Sequence, residues 1–261
     1  MNPIKSILLL FIYMGVCQMA LSEVVVKTVT YEHEGKAFKG SLVYNESVDK
    51  KRPGILVLHE WWGITPELID KAKRLANDGY VAFVADLYGD AKTADHPEEA
   101  GKLMGELTSN KFAWRARALA SLVAFKKQPI VDPKQIAAIG FCLGGNTALN
   151  MVYARHDIVA AVAFHSTLAL PDSDDDLKGI TTKILALQGA QDPFVPKGGI
   201  EKFTTELGAT GLDWQLNLYP AEHAFTNPKA DSKKIPGIKY NAKVYEQSWV
   251  AMHAMFSQIF N

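Results

Sequence analysis

The chain has 261 residues, of which 48% are hydrophobic and 21% charged, and its 28 basic residues balance 28 acidic ones. This composition is that of a globular protein and excludes the collagen-like, disordered and disulfide-scaffold classes. The zero net charge removes the electrostatic attraction that drives non-specific nucleic-acid binding. We therefore expect a small-molecule partner and no nucleic acid, and we favour a monomer.

Residues 1–22 are typical of a secretory signal peptide. Lys5 supplies the positive charge, an apolar stretch covers residues 7–16, and small residues precede a cleavage point before Glu23. The apolar stretch is shorter than the ~20 residues that a membrane-spanning helix needs. We therefore expect a secreted or periplasmic protein that is free of the membrane after cleavage, with residues 23–261 forming one domain. The alternatives are an uncleaved anchor and a buried N-terminal helix.

Strand and helix patterns alternate along the rest of the chain. Residues 24–30 alternate apolar and polar side chains and predict a strand. A second strand is predicted at residues 38–44 after a turn at Glu34-Gly35, so the two predict an antiparallel hairpin. Further strands are predicted at residues 54–58, 80–85, 136–141, 158–164, 183–188 and 214–218, and helices at residues 66–77, 99–107, 111–127, 146–154, 197–207 and 241–260. Apolar strands that alternate with helices are typical of a parallel sheet covered on both faces. The expected fold class is therefore α/β, with a mostly parallel sheet, helices on both faces and an N-terminal antiparallel hairpin.

The strongest chemical signal is the sequence GFCLGG at residues 140–145, which lies between a predicted strand and a predicted helix. A nucleophile flanked by such glycines is typical of the tight strand-to-helix turn of α/β hydrolases, here with Cys142 where serine is usual. The start of a helix favours a thiolate. After signal cleavage Cys142 would be the one remaining cysteine. A lone thiol in an oxidising compartment is a liability unless it is buried or used.

Two later residues complete a candidate catalytic triad. Asp192 follows the predicted strand at 183–188, and His223 follows the strand at 214–218, so both are expected at the carboxyl edge of the sheet. The order Cys142, Asp192, His223 is that of α/β hydrolases. His223 would take the thiol proton, and Asp192 would hold the imidazole in the required tautomer. A loop-capping aspartate and a surface histidine are the structural alternatives.

An oxyanion hole needs two backbone N–H groups that point at one position. We assign them to Leu143, directly after the nucleophile, and to Trp61, in the loop after the strand at 54–58. No metal site is expected: the pair His59-Glu60 is not followed by a second histidine at the zinc-binding spacing. The acidic segment at 171–176 departs from a calcium-binding loop and is expected to be solvated.

Five segments together resemble the dienelactone hydrolase family: residues 58–63, 85–89, 140–145, 189–192 and 222–225, within a match over residues 28–260. The resemblance implies an α/β-hydrolase fold and a cofactor-free Cys-His-Asp hydrolase of esters or lactones. It also gives Glu60 a role, because the matching glutamate contacts the resting thiol and helps to activate it when substrate binds. Asn227 is a departure, since family members carry there an arginine that binds a substrate carboxylate. Asparagine lacks that charge and fork geometry, which weighs against dienelactone itself as the substrate.

The remaining candidates surround the expected site. Trp62, His165 and Asn227 are expected to line the substrate pocket, whereas Arg115 and Arg117 are expected on the solvated face of a long helix. Two other functions stay open. One is a thioesterase or general carboxylesterase, and the other is a non-catalytic redox-sensing or binding protein on the same scaffold, with Cys142 as its reactive thiol.

Overall fold

The computed structural model of the protein describes residues 23–47, 50–173 and 175–260, so the predicted signal peptide lies outside the described residues. The strands are β1 (Val24–His33), β2 (Lys36–Asn45), β3 (Arg52–Leu58), β4 (Val81–Ala85), β5 (Val131–Phe141), β6 (Ala160–Phe164), β7 (Lys183–Gly189) and β8 (Trp214–Tyr219). The helices are α1 (Pro66–Asn77), α2 (Pro97–Thr108), α3 (Lys111–Lys126), α4 (Leu143–Tyr153), α5 (Gly199–Gly208) and α6 (Ala242–Ile259), with one 3₁₀ turn at Asp231–Lys233.

All eight strands form one sheet in the order β1-β2-β4-β3-β5-β6-β7-β8. Strands β1 and β2 pair antiparallel, as do β2 and β4, and every other pair in the sheet is parallel. The predicted N-terminal hairpin and the mostly parallel sheet are therefore confirmed. The hairpin turns at Glu34 and Gly35, which both have positive φ, and such turns match the twist of the flanking strands.

Helices cover both faces of the sheet, as the sequence predicts. One buried cluster joins α1 and α6 to the sheet, and the other joins α2, α3, α4 and α5 to the opposite face. The central strands β3, β4, β6 and β7 are almost wholly buried, which explains their continuous apolar sequences. Within the described ranges, none of the helices combines the length and apolar character required to cross a membrane.

One helix begins earlier than its sequence pattern indicates. The apolar periodicity predicts a helix from residue 146, but α4 begins at Leu143. Its first turn contains Gly144 and Gly145, which are poor helix formers in isolation. They are accommodated because the helix starts directly after the tight turn at Cys142, where only small residues fit. Tertiary packing therefore overrides local propensity at this point.

The expectation for Arg115 is wrong, whereas the acidic segment is exposed at Asp172 and Asp176, as expected, with only the Asp175 side chain buried among its described residues. Arg115 is buried, and its guanidinium donates to both carboxylate oxygens of Asp175 at 2.5 and 2.8 Å and to Asn150 Oδ1 at 3.0 Å. Arg117 is half-buried and donates to the backbone carbonyl of Leu87 at 3.1 Å. These contacts cross from α3 to other elements, so periodicity within α3 alone could not reveal them.

Candidate active site

Cys142 occupies the turn between β5 and α4. Its backbone has φ 53° and ψ −113°, an unfavourable conformation for a residue with a side chain. Such strain costs of order 1–3 kcal/mol and persists only where the surrounding structure enforces it. The Cys142 N–H donates to the carbonyl of Phe164 at 3.0 Å, which ties the turn to the adjacent strand β6. The thiol is free and partly exposed.

The flanking glycines are required by close backbone contacts. A Cβ atom at Gly140 would collide with the carbonyl of Gly144, and a Cβ at Gly144 would collide with the carbonyl of Leu58 at the end of β3. The strand-to-helix turn can therefore close only without these side chains. This arrangement is the physical reason for the glycine spacing that the sequence displays around Cys142.

Asp192 and His223 meet at the carboxyl edge of the sheet, as predicted. The His223 Nδ1–H donates to Asp192 Oδ2 at 2.7 Å, and both side chains are buried. Asp192 also accepts from Gln188 Nε2 at 2.8 Å and from the backbone N–H of Phe194 at 2.9 Å. The carboxylate is thereby fixed on three sides, and the Nε2 atom of the imidazole is left to face the nucleophile.

Cys142 and His223 interact directly. Burial alone would lower the pKa of His223, but the negative charge of a Cys142 thiolate, together with hydrogen bonds to Asp192 and Cys142, raises that pKa from 6.5 to about 10. An imidazole in this position is a proton acceptor for the thiol. The arrangement therefore suits a thiolate–imidazolium pair.

Glu60 borders the same pocket from the loop after β3. Its side chain is 11% exposed, and its Oε2 atom accepts from Asn227 Nδ2 at 2.8 Å. The second oxygen, Oε1, is buried without a hydrogen bond and lies 3.9 Å from His165 Nε2. Asn227 is thus a partner of Glu60 within the pocket wall. This contact joins residues 167 positions apart, and no local sequence pattern signals it.

Two hydrogen bonds of the His59 ring hold the loop that carries Trp61. His59 accepts from the Leu87 N–H through Nε2, so its Nδ1–H donates to the carbonyl of Glu60 at 2.6 Å. Because the C=O and N–H of one peptide point in opposite directions, the Trp61 N–H points away from His59. The Leu143 N–H belongs to the first turn of α4, where helical amides have no partner within the helix. Both amides assigned to the oxyanion hole are therefore in positions that leave them available.

A small, partly open pocket lies over the thiol. The indoles of Trp61 and Trp62 pack against each other on one side, with centroids 4.8 Å apart. Sequence reasoning missed Lys233, which also lines the pocket and whose Nζ lies 4.1 Å from the centre of a Trp62 ring. The sequence held no signal for this contact, because Lys233 belongs to a 3₁₀ turn in a long connection after β8.

The structure places His165 differently from the expectation. His165 is fully buried and lies behind His223, whose ring it meets edge-on at 5.1 Å, so it does not reach the pocket. Its Nε2 atom shares a hydrogen bond with Thr226 Oγ1 at 2.8 Å. Burial, and then the neighbouring His223 and Lys71, hold the pKa of His165 well below its ordinary value. His165 is therefore a neutral packing partner of the imidazole.

Groups of three or more metal-binding side chains are absent from the described part of the chain. Near Cys142, the His223 Nδ1–H bonds to Asp192 Oδ2, and the Asn227 amide bonds to Glu60 Oε2. The arrangement offers a nucleophile, a proton acceptor and two backbone amides, which together can carry out acyl transfer.

Comparison with known proteins identifies a family and several relatives of this chain. The model of the dienelactone hydrolase family matches residues 38–260. Protein usf of Aquifex pyrophilus is 31% identical over 186 residues, which is 69% of this chain and 79% of that protein.

Two solved structures are also similar. One is the dienelactone hydrolase-like promiscuous phosphotriesterase P91 from metagenomic libraries, with 33% identity and a TM-score of 0.87 over 91% of this chain and 99% of that one. The other, named m3DLH, is 35% identical with the same TM-score over 91% of this chain and 99% of its own. The family match covers both the strand-to-helix turn and the two partners of Cys142. This chain therefore belongs to the dienelactone hydrolase family and is a hydrolase with the α/β-hydrolase fold.

Proposed function

We propose that the protein hydrolyses carboxylic esters or lactones with Cys142 as nucleophile, His223 as general acid and base, and Asp192 as the group that orients His223. The observation that carries this proposal is the strained turn that presents Cys142 to the His223–Asp192 pair. Asp192 also accepts hydrogen bonds from Gln188 and from the Phe194 N–H, which hold its carboxylate in place. A fixed carboxylate supports a fixed tautomer of the His223 imidazole.

The chemistry follows from these positions. The Cys142 thiolate attacks the carbonyl carbon, and the Trp61 and Leu143 amides stabilise the oxyanion. His223, protonated by the thiol, gives its proton to the departing alkoxide, and a thioester to Cys142 remains. Water then loses a proton to His223 and attacks the thioester. The carboxylic acid leaves, and Cys142 recovers its proton.

The substrate class follows from the pocket lining. Asn227 is neutral and engaged by Glu60, which supports substrates without a carboxylate at this position. The indoles of Trp61 and Trp62 supply apolar walls for an acyl group. A panel of p-nitrophenyl esters, acyl thioesters and small lactones would rank lactonase, carboxylesterase and thioesterase activity.

The decisive test combines turnover with chemical labelling. We expect the protein to hydrolyse p-nitrophenyl acetate, iodoacetamide to abolish that activity, and mass spectrometry to find the label on Cys142. A Cys142→Ala variant should fold normally, should take up no label and should lose turnover. Hydrolysis by Cys142→Ala at the wild-type rate would exclude this thiol as the nucleophile. Labelling without any hydrolysis of the panel would instead favour a redox-sensing protein.

We also propose that the protein works outside the cytoplasm, on the basis of the signal-like composition of residues 1–22. Cell fractionation followed by N-terminal sequencing tests this. Recovery of a chain that begins at Glu23 from the periplasm or medium would support export, and a cytoplasmic chain that retains Met1 would refute it.

A further inference from the structure

A buried lysine lies beneath the candidate active site. Lys71, in α1, is only 6% exposed, which is rare for this residue type. Its Nζ atom lies 5.1 Å from the ring centre of Phe141 and 5.6 Å from that of Tyr245. Phe141 directly precedes Cys142, so the ammonium lies close behind the nucleophile turn. The hydrolytic steps described above do not use Lys71.

Glu60 borders both the cavity that Lys71 lines and the pocket that Cys142 lines. Lys71 and Glu60 line one small cavity, together with Phe141 and Asn227. Glu60 also lines the substrate pocket that contains Cys142. Glu60 is thus the ionisable residue that the Lys71 cavity and the Cys142 pocket share.

The other contacts of Glu60 leave its charge without compensation. The Asn227 amide is neutral, and Oε1 has no hydrogen bond. His165, 3.9 Å from Oε1, is held neutral because its pKa lies well below the ordinary value. An uncompensated buried carboxylate is costly, and beside a thiol it would also oppose formation of the thiolate.

The charged groups around Lys71 indicate that its ammonium can compensate the Glu60 carboxylate. Burial lowers the pKa of Lys71, and the carboxylate of Glu60 is the strongest influence in the opposite direction. The titratable groups that face Lys71 are Glu60 from the loop after β3, Glu67 and Asp70 from α1, His165 from the end of β6 and Tyr245 from α6. Asp70 already pairs with Lys73 at 3.0 Å on the exposed side of α1. Glu60 is therefore the carboxylate in this set that is buried and borders the thiol.

We propose that Lys71 is a positioning residue: its buried ammonium neutralises the Glu60 carboxylate from behind and so permits Cys142 to ionise and react. The Glu60 carboxylate can then remain beside the pocket in the resting enzyme without acting as a repulsive charge on the thiolate. The positive charge comes from α1, through the cavity that Lys71 and Glu60 share. This inference rests on the proposed function only in taking Cys142 as the reactive group.

The test measures alkylation of Cys142 by iodoacetamide, because its rate follows the thiolate fraction and needs no substrate. Rates are taken from about pH 5.5 to about pH 9 for the wild type, Lys71→Met, Glu60→Gln and the double variant. Methionine preserves the length and apolar stem of lysine. Lys73→Met is the matched control on α1, since Lys73 is exposed and pairs with Asp70.

If Lys71 compensates the charge of Glu60, the alkylation rates of the single and double variants should differ in a characteristic way. We expect Lys71→Met to slow alkylation at neutral pH by about fivefold or more, and Glu60→Gln to accelerate it, as expected for a unit charge in a partly buried site. The double variant should return to within about twofold of wild type. A packing defect from Lys71→Met would not be rescued by Glu60→Gln. An unchanged rate in Lys71→Met, or a double variant as slow as Lys71→Met, would overturn the proposal. The alkylation rates of all the variants can be measured whether or not the protein hydrolyses esters.

Discussion

Replacing Asp192 with asparagine removes one charge while preserving the shape of the side chain. In the structure, Oδ2 accepts from both His223 Nδ1 and Gln188 Nε2, and Oδ1 accepts from the Phe194 N–H. Asparagine has one acceptor oxygen and one donor NH₂ group. If its oxygen faces Phe194, the NH₂ group faces two other donors. If its oxygen faces His223, the NH₂ group faces the Phe194 amide.

Each orientation leaves a buried donor unsatisfied, so Asp192→Asn should lower the free energy of unfolding by about 1–3 kcal/mol. The first orientation also drives His223 into the tautomer with its proton on Nε2, which cannot accept the thiol proton. We therefore expect kcat/KM to fall by about 10²–10⁴, equivalent to about 3–5 kcal/mol of transition-state stabilisation. The pKa of His223 should fall as well, since the Asp192 contact helps to raise it.

The assay is p-nitrophenyl acetate hydrolysis as a function of pH, with urea unfolding of the same samples. Asp213→Asn is the matched control, because Asp213 is largely exposed and contacts only Lys183 at 3.4 Å among the ion pairs of the described residues. That control should be within about 0.5 kcal/mol of wild type in stability and unchanged in turnover. A loss smaller than about threefold in Asp192→Asn, with an unshifted pH profile, would refute the role assigned to Asp192.

Three further outcomes follow from the structure. Cys142→Ala should lower the pKa of His223 from about 10, because burial then acts without the opposing thiolate, and an NMR titration of the imidazole measures this. In the wild type, any stability due to protonated His223 is fully present below pH 6.5 and is lost as the pH rises through about 10. The free energies of unfolding of the wild type and Cys142→Ala, measured in urea, should therefore converge over that pH interval. Gly144→Ala should destabilise by at least about 2 kcal/mol through its backbone clash, whereas Gly105→Ala, which meets open space, should be neutral or stabilising. Asp175→Ala should cost about 3 kcal/mol by leaving a buried guanidinium without its closest carboxylate, and a change below about 1 kcal/mol in thermal unfolding would contradict this.

The strand-to-helix turn could be predicted because its requirements are local. An apolar strand, two glycines and a following helix lie within a short segment, and each glycine is needed for contacts within or beside that segment. Asp192 and His223 were predictable for a related reason, since residues that follow parallel strands collect at one sheet edge. Sequence order and strand pattern therefore suffice to bring Cys142, Asp192 and His223 together.

The surroundings of Glu60 could not be predicted in the same way. Its bond to Asn227 joins the loop after β3 to the connection after β8, and Lys71, which lines a cavity with it, comes from α1. In sequence, Lys71 is one of two lysines on an amphipathic helix, and periodicity alone assigns charged residues to the solvated face. Arg115 was misplaced for the same reason. Buried charges depend on three-dimensional partners that a local pattern does not contain.

The distribution of charge explains how a thiol can be kept reactive here. On the substrate side, the proposed mechanism has Asp192 stabilise the imidazolium that forms when His223 takes the thiol proton. On the interior side, Glu60 provides a carboxylate next to the pocket and is joined to Asn227 by a hydrogen bond to a neutral amide. Breaking such a bond costs only about 0.5–1.5 kcal/mol net, far less than separating a buried ion pair. In the proposed mechanism, a neutral ester can therefore release Glu60 from Asn227 without bringing a carboxylate of its own.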